Sequence, residues 1–161
     1  MTPRLVTVFG GSGFIGRNFV RLMAKTGASI RVAVRDPNAA GFLRPMGDVG
    51  QIALVQANLR VPETVAAACA GADIVVNLVG ILAERGRQNF HAIHEIGART
   101  VAEAAKAAGA QQLIHVSALG ASPQAISRYA RSKAAGETAV RQVFPAATIL
   151  RPSVVFGPDD N

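Results

Sequence analysis

The chain has 161 residues, of which 50% are hydrophobic and 17% charged, and its net charge is +7. That composition excludes a disordered chain and fits one domain with a real core. The single cysteine, Cys69, rules out an internal disulfide framework and fits a reducing compartment, while 5% aromatics and scattered charges argue against a nucleic-acid surface.

Met1-Thr2-Pro3-Arg4 leads straight into an apolar run, without the features of a signal or transit peptide. The most apolar stretch, Ala72 to Ala83, is broken by Asp73 and Asn77 and is too short to span a bilayer. A cytoplasmic protein is expected, at most peripheral to a membrane. Residues 5–9 form a continuous apolar run, the mark of a strand buried on both faces. Residues 14–25 have helical spacing and stop at Gly27. Residues 30–34 read as a second strand, and 36–50, rich in Gly and Pro, as a loop with room for one helical turn. A third strand is expected at 52–55 and a helix at 62–70, opened by Pro62 and ended by Gly71. Then come a strand at 73–79, a long alanine-rich helix at 90–108, a strand at 112–116, a helix at 126–143 and a strand at 148–150. Strand and helix alternate throughout, which predicts an α/β doubly wound parallel sheet, a Rossmann fold of six strands in one domain over 1–161. Cys69 falls in a helix as a small buried hydrophobe.

The first strand runs into Gly10-Gly11-Ser12-Gly13-Phe14-Ile15-Gly16, which opens the first helix. Glycine spacing alone is weak evidence; between strand and helix it is what pyrophosphate binding requires. The early glycines allow a tight turn, Gly13 lets the backbone approach the pyrophosphate, and Gly16 lets the helix pack against the strand. The helix N-terminus then offers free amides to the phosphates. A dinucleotide is therefore the expected ligand. After the second strand stand Arg35 and Asp36. An acid there would bind the ribose of NAD, whereas Arg35 in the first position suits a 2′-phosphate, with Arg17 adding charge. NADP(H) is expected over NAD(H). Asn58 and Leu59 after the third strand are expected beside the adenine. Asn77, Leu78, Val79 and Gly80 after the fourth should run past the cofactor.

Tyr129, the only tyrosine, and Lys133 lie on one face of the predicted helix. Free tyrosine titrates near 10, and an adjacent ammonium would lower that value and fit the pair for proton transfer beside a nicotinamide. His91 and His94 share a helix with no third ligand, so no metal site is expected. His115 reads as structural and Glu84-Arg85-Gly86-Arg87 as an exposed loop.

The glycine loop, Asn77-Leu78-Val79-Gly80, His115-Val116-Ser117-Ala118-Leu119-Gly120, Tyr129-Ala130-Arg131-Ser132-Lys133 and Arg151-Pro152-Ser153-Val154-Val155-Phe156-Gly157-Pro158 occur in that order. Together they resemble the extended and atypical short-chain dehydrogenase/reductases, the NAD-dependent epimerase/dehydratase family. The segments from Ser117 to Ala121 and from Ser127 to Glu137 are similar to the NADPH-binding accessory subunit of respiratory complex I and its bacterial relatives. The resemblance carries over Tyr129, Lys133 and Ser117 as catalytic positions, and Lys133 and Pro152 as cofactor contacts. It departs at Leu119, where family enzymes hold a Ser or Thr that polarises the substrate. It implies a C-terminal substrate domain beyond residue 161, so the chain is expected to be the N-terminal part of a longer protein. Two functions follow from it: an NADPH-holding subunit, or an active reductase, epimerase or dehydratase acting on a nucleotide-sugar or other carbonyl with Tyr129 as acid/base. The implied partners are complex I or the inner face of a respiratory membrane, and a homodimer.

Overall fold

The computed structural model describes residues 3–158 and residue 160. Six parallel strands, β1 (Leu5–Phe9), β2 (Ser29–Val34), β3 (Ile52–Gln56), β4 (Ile74–Asn77), β5 (Gln112–Val116) and β6 (Thr148–Leu150), form one sheet in the order β3-β2-β1-β4-β5-β6. The helices are α1 (Phe14–Ala24), α2 (Pro62–Cys69), α3 (Ala98–Ala107) and α4 (Arg128–Val143), with a 3₁₀ helix at Gly41–Met46 and a π-helix at His91–Gly97. This is the doubly wound Rossmann arrangement expected from the alternation of elements. Strand order reverses between β1 and β4, from which the sheet grows outward in both directions, and this switch point opens a crevice at their carboxyl ends.

One sheet face carries Phe9, Val75 and Leu113 against Val65, Cys69, Val101 and Ala105 of α2 and α3. The other carries Val8, Ile30, Val32 and Val76 against Val20 of α1 and Leu43 of the 3₁₀ helix. Each such side chain, fully buried, contributes roughly 1.5–3 kcal/mol. Burial pushes the Cys69 thiol up to about 11, so it is a packed and unreactive group. The last carbonyls of α2 are satisfied from the sheet below: Thr7 Oγ1 donates to Ala68 O, and Arg31 donates to Ala68 O and Ala70 O.

Three differences from the sequence expectation exceed one residue. β4 ends at Asn77, because Asn77 Oδ1 accepts the Val79 amide and turns the chain out of the sheet. α4 begins at Arg128, because Ser127 caps it and its hydroxyl accepts the Ala130 amide. The helix expected over 90–108 is a π-helix followed by α3. There Gly136 of α4 lies directly on the carbonyl of His94, where a Cβ would collide.

Candidate cofactor site

The glycine loop is built from β1 outward. Gly10 has φ +78, and a Cβ there would meet the Leu78 carbonyl carbon and the Val79 nitrogen at 3.1 Å, so the loop lies on the exit from β4. Gly16 seats the first turn of α1 on Gly10 and Gly11, and Gly11 faces inward onto Val32. Gly13 differs from both. It is exposed, its backbone is extended, and a Cβ would meet only Gly10 O, at 3.4 Å. Gly13 is the N-cap of α1, whose first turn, including Phe14 and Ile15, has neither a side-chain cap nor an acid. Free amides facing an open crevice are the donor set that a pyrophosphate requires.

The crevice wall contains Gly10, Ser12 and Gly13 on one side and Leu78, Val79 and Gly80 on the other. Arg35, Asn58 and Leu59 close the end beyond β2 and β3. The sequence reading missed Arg60, Ile81, Gln88 and Ile93, which line the same wall. Arg60 follows the expected adenine residues directly, and that adjacency was the available signal. Asp36 is turned away from the crevice: its carboxylate accepts the amides of Asn38 and Ala39 at 2.9 and 3.3 Å. Arg17 stacks over the Phe42 ring, 5.3 Å from its centroid. Pro152 contributes its carbonyl to the Leu119 amide, at 2.8 Å, and so ties the exits of β5 and β6 together.

Gly80 leads from the crevice to a second group of side chains. A Cβ on it would lie 3.7 Å from Lys133 Nζ and 3.8 Å from His94 Nε2. Lys133 is 3% exposed and donates to Val116 O at 2.9 Å. Burial pushes its ammonium down to about 8, against the opposing pull of Glu137. The Tyr129 ring packs edge-on to both Phe90 and His94, with centroids 5.9 and 5.5 Å away. Burial raises the Tyr129 phenol above its ordinary value, so the expected lowering by Lys133 is not realised in this arrangement. His94 is buried, and Nε2 accepts the Ile81 amide at 3.0 Å while Nδ1 lies 2.8 Å from Ser132 Oγ. Burial first, then Lys133, holds its imidazole down to about 4. His91, by contrast, is exposed and pairs with Glu95.

Behind Lys133 lies a buried polar group. Glu137 accepts two hydrogen bonds from the Arg151 guanidinium, at 2.8 and 2.6 Å. Burial would raise the Glu137 carboxyl, but Arg151, with Ser117 beside it, wins and holds it below the usual range. Ser117 is enclosed, 4% exposed, at the end of β5. Leu119, at the place of the family's polarising hydroxyl, is 70% exposed. His115 is buried against Asn77, with Nδ1 3.2 Å from Asn77 Nδ2, and burial holds it down to about 4. Among the described residues no group of three or more His, Cys, Asp or Glu is placed to hold a metal, and no helix is long and apolar enough to cross a membrane.

A parallel sheet with a glycine loop, free helix amides and a crevice at its switch point defines the class of dinucleotide-binding α/β domains. A family model described as NAD(P)H-binding matches residues 10–160, and the chain belongs to that family. It is 38% identical over 157 residues to the mouse (Mus musculus) protein named NADH dehydrogenase [ubiquinone] 1 alpha subcomplex subunit 9, mitochondrial, covering 97% of this chain and 42% of that one. It is 37% identical over 156 residues to the ceramide reductase of Caulobacter vibrioides, covering 97% of this chain and 48% of that one. The chain therefore spans about half the length of these relatives. A Bacillus halodurans structure described as an NAD-dependent epimerase/dehydratase has the same fold, with a TM-score of 0.80 and 24% identity over 93% of this chain and 70% of that one.

Proposed function

We propose that this NAD(P)H-binding domain holds NADPH in preference to NADH, as a nucleotide-binding subunit. One observation carries the preference. Arg35 lines the crevice, whereas Asp36 does not line it and its Oδ1 accepts two amides of its own loop. A guanidinium pairs with a 2′-phosphate in bidentate fashion, and an acid free to bind ribose hydroxyls is lacking at that point. Arg60 adds positive charge to the same wall. In this reading the amides of Phe14 to Gly16, at the open approach left by Gly13, hold the pyrophosphate, Asn58 and Leu59 flank the adenine, and Leu78 to Gly80 run along the nicotinamide half. Mass spectrometry of the nucleotide that co-purifies with the protein tests the proposal. NADPH or NADP+ is expected, and NAD(H) alone refutes it.

The site favours holding over turnover. Lys133 is bonded to a backbone carbonyl, Ser117 is enclosed, and Leu119 replaces the polarising hydroxyl. Association with a respiratory complex at the inner face of its membrane is proposed by likeness to the mouse relative, and co-sedimentation with that complex tests it. The same reading includes a cytoplasmic location and a homodimer, which fractionation and mass measurement in solution test.

One observation favours a second reading. A Cβ on Gly80, at the crevice wall, would lie 3.7 Å from Lys133 Nζ, and Tyr129, four residues earlier on the same helix, packs on His94 beside it. A bound NADPH supplies a hydride. The protonated Tyr129 phenol would then give its proton to the carbonyl oxygen as the hydride reaches the carbonyl carbon. This reading is an NAD(P)-dependent reductase, epimerase or dehydratase acting on a nucleotide-sugar or other carbonyl, with Tyr129 as acid/base.

A further inference from the structure

We infer that His94 is the positioning residue of this site, its imidazole holding the Ile81 amide on the crevice wall and the Tyr129 ring in place at the same time. The inference rests on reading the crevice as the NADPH site. A histidine that merely fills a core bonds within its own surroundings. His94 instead makes three sets of contacts, two of them to other segments that carry site residues, the exit from β4 and α4.

The first set is at the exit from β4. The Ile81 amide donates to Nε2, which leaves the ring proton on Nδ1 and fixes the tautomer. The second is at α4. Nδ1–H donates to Ser132 Oγ, and the Ser132 hydroxyl donates to Tyr129 O at 2.7 Å, so the chain of bonds ends on the backbone of Tyr129. The third is the aromatic wall. His94 stacks on Phe90 at 5.3 Å, and both rings present their faces and edges to the Tyr129 ring. The π-helix supplies the backbone for this arrangement, and short π segments recur at functional sites. Lys133 is the charged group that faces the imidazole from α4.

Two variants separate the two duties. His94→Phe keeps a ring of similar volume against Tyr129 and deletes both hydrogen bonds. His94→Gln keeps an acceptor for the Ile81 amide and deletes the ring. NADPH titrations read the first duty. The second is read by the phenolate absorbance of Tyr129 against pH, which is unambiguous because Tyr129 is the only tyrosine and tryptophan is absent. His94→Phe is expected to weaken NADPH by about tenfold and to leave the Tyr129 titration in place. His94→Gln is expected to bind NADPH within about threefold of the parent, while the Tyr129 titration falls toward the free value near 10. Parental NADPH affinity in His94→Phe, or an unmoved Tyr129 titration in His94→Gln, overturns the inference. Should His94→Phe fail to fold, Ser132→Ala takes its place: it removes the partner of Nδ1 without emptying the core, must weaken NADPH, and overturns the inference if it does not. If the parent itself fails to bind NADPH, the reading of the crevice has failed, and the Tyr129 titration alone still decides the role of His94.

Discussion

The imidazole of His94 stands edge-on to the phenol ring of Tyr129, with centroids 5.5 Å apart and planes at 87°. The two residues come from the π-helix and from α4, and their meeting joins the wall of the crevice to the tyrosine–lysine pair. Tyr129 is half-buried in this packing, and that burial raises its phenol above the usual range, while Lys133 is bonded to the Val116 carbonyl.

Arg35 should decide between the two nucleotides. Arg35→Ala is expected to weaken NADPH by roughly ten- to a hundredfold, the value of charge-assisted hydrogen bonds, and NADH by less than about threefold. Asp36→Asn should leave the affinity for either nucleotide nearly unchanged, since Asp36 is engaged in its own turn. Fluorescence titration with both nucleotides checks this, and equal losses in Arg35→Ala refute the NADP preference.

The glycines of the loop should divide into two kinds. At Gly13 the backbone is extended and the surroundings are open, so Gly13→Val should fold with nearly unchanged thermal stability. It should nevertheless lose nucleotide binding, because its side chain fills the space a diphosphate needs. At Gly16 a Cβ collides with Gly10 and Gly11, and Gly16→Ala should cost on the order of 2–4 kcal/mol. Thermal melts with and without NADPH distinguish them. Gly13→Val should lose the ligand-induced rise in Tm, which for a saturating ligand is equivalent to a few kcal/mol.

Tyr129→Phe separates the two functional readings. For a nucleotide-holding subunit it should leave NADPH affinity unchanged and leave NADPH oxidation by added carbonyl compounds at the parental rate. A fall in that rate of about a hundredfold or more would transfer the protein to the reductase reading, since that is the size of a lost general acid.

Two buried histidines should make the fold sensitive to mild acid. His94 and His115 titrate at about 4 in the folded chain, against 6.5 as the ordinary value. The unfolded chain therefore takes up these protons first, and stability falls as pH drops from about 6.5 toward 4. A loss on the order of 2 kcal/mol per histidine is expected across that window. Chemical denaturation at pH 7 and at pH 4.5 measures it. His115→Gln should flatten the dependence, and an unchanged pH slope in that variant would count against a neutral buried His115.

Local patterns made most of the fold legible. Short apolar-rich runs between helix-like segments announced six strands, and β1, β5 and β6 have the expected bounds. The loop from Gly10 to Gly16 was legible because its chemistry is backbone chemistry, written in adjacent residues. Arg35 was legible because its position follows from the end of β2. The end of β4 was not, since it depends on where Asn77 turns its amide. The break in the helix over 90–108 was not, since alanine-rich sequence suits an α-helix throughout, and the widened turn accompanies the close approach of Gly136 to the His94 carbonyl.

By itself the sequence determined the order of elements, the parallel sheet and the glycine loop between β1 and α1, because hydrophobic periodicity and glycine placement act over a few neighbouring residues. Tertiary structure alone decided that Lys133 is bonded to the Val116 carbonyl and that His94 stands between Ile81 and Tyr129. Those outcomes depend on which buried polar groups find one another across the sheet and between helices, and such partners are distant along the chain.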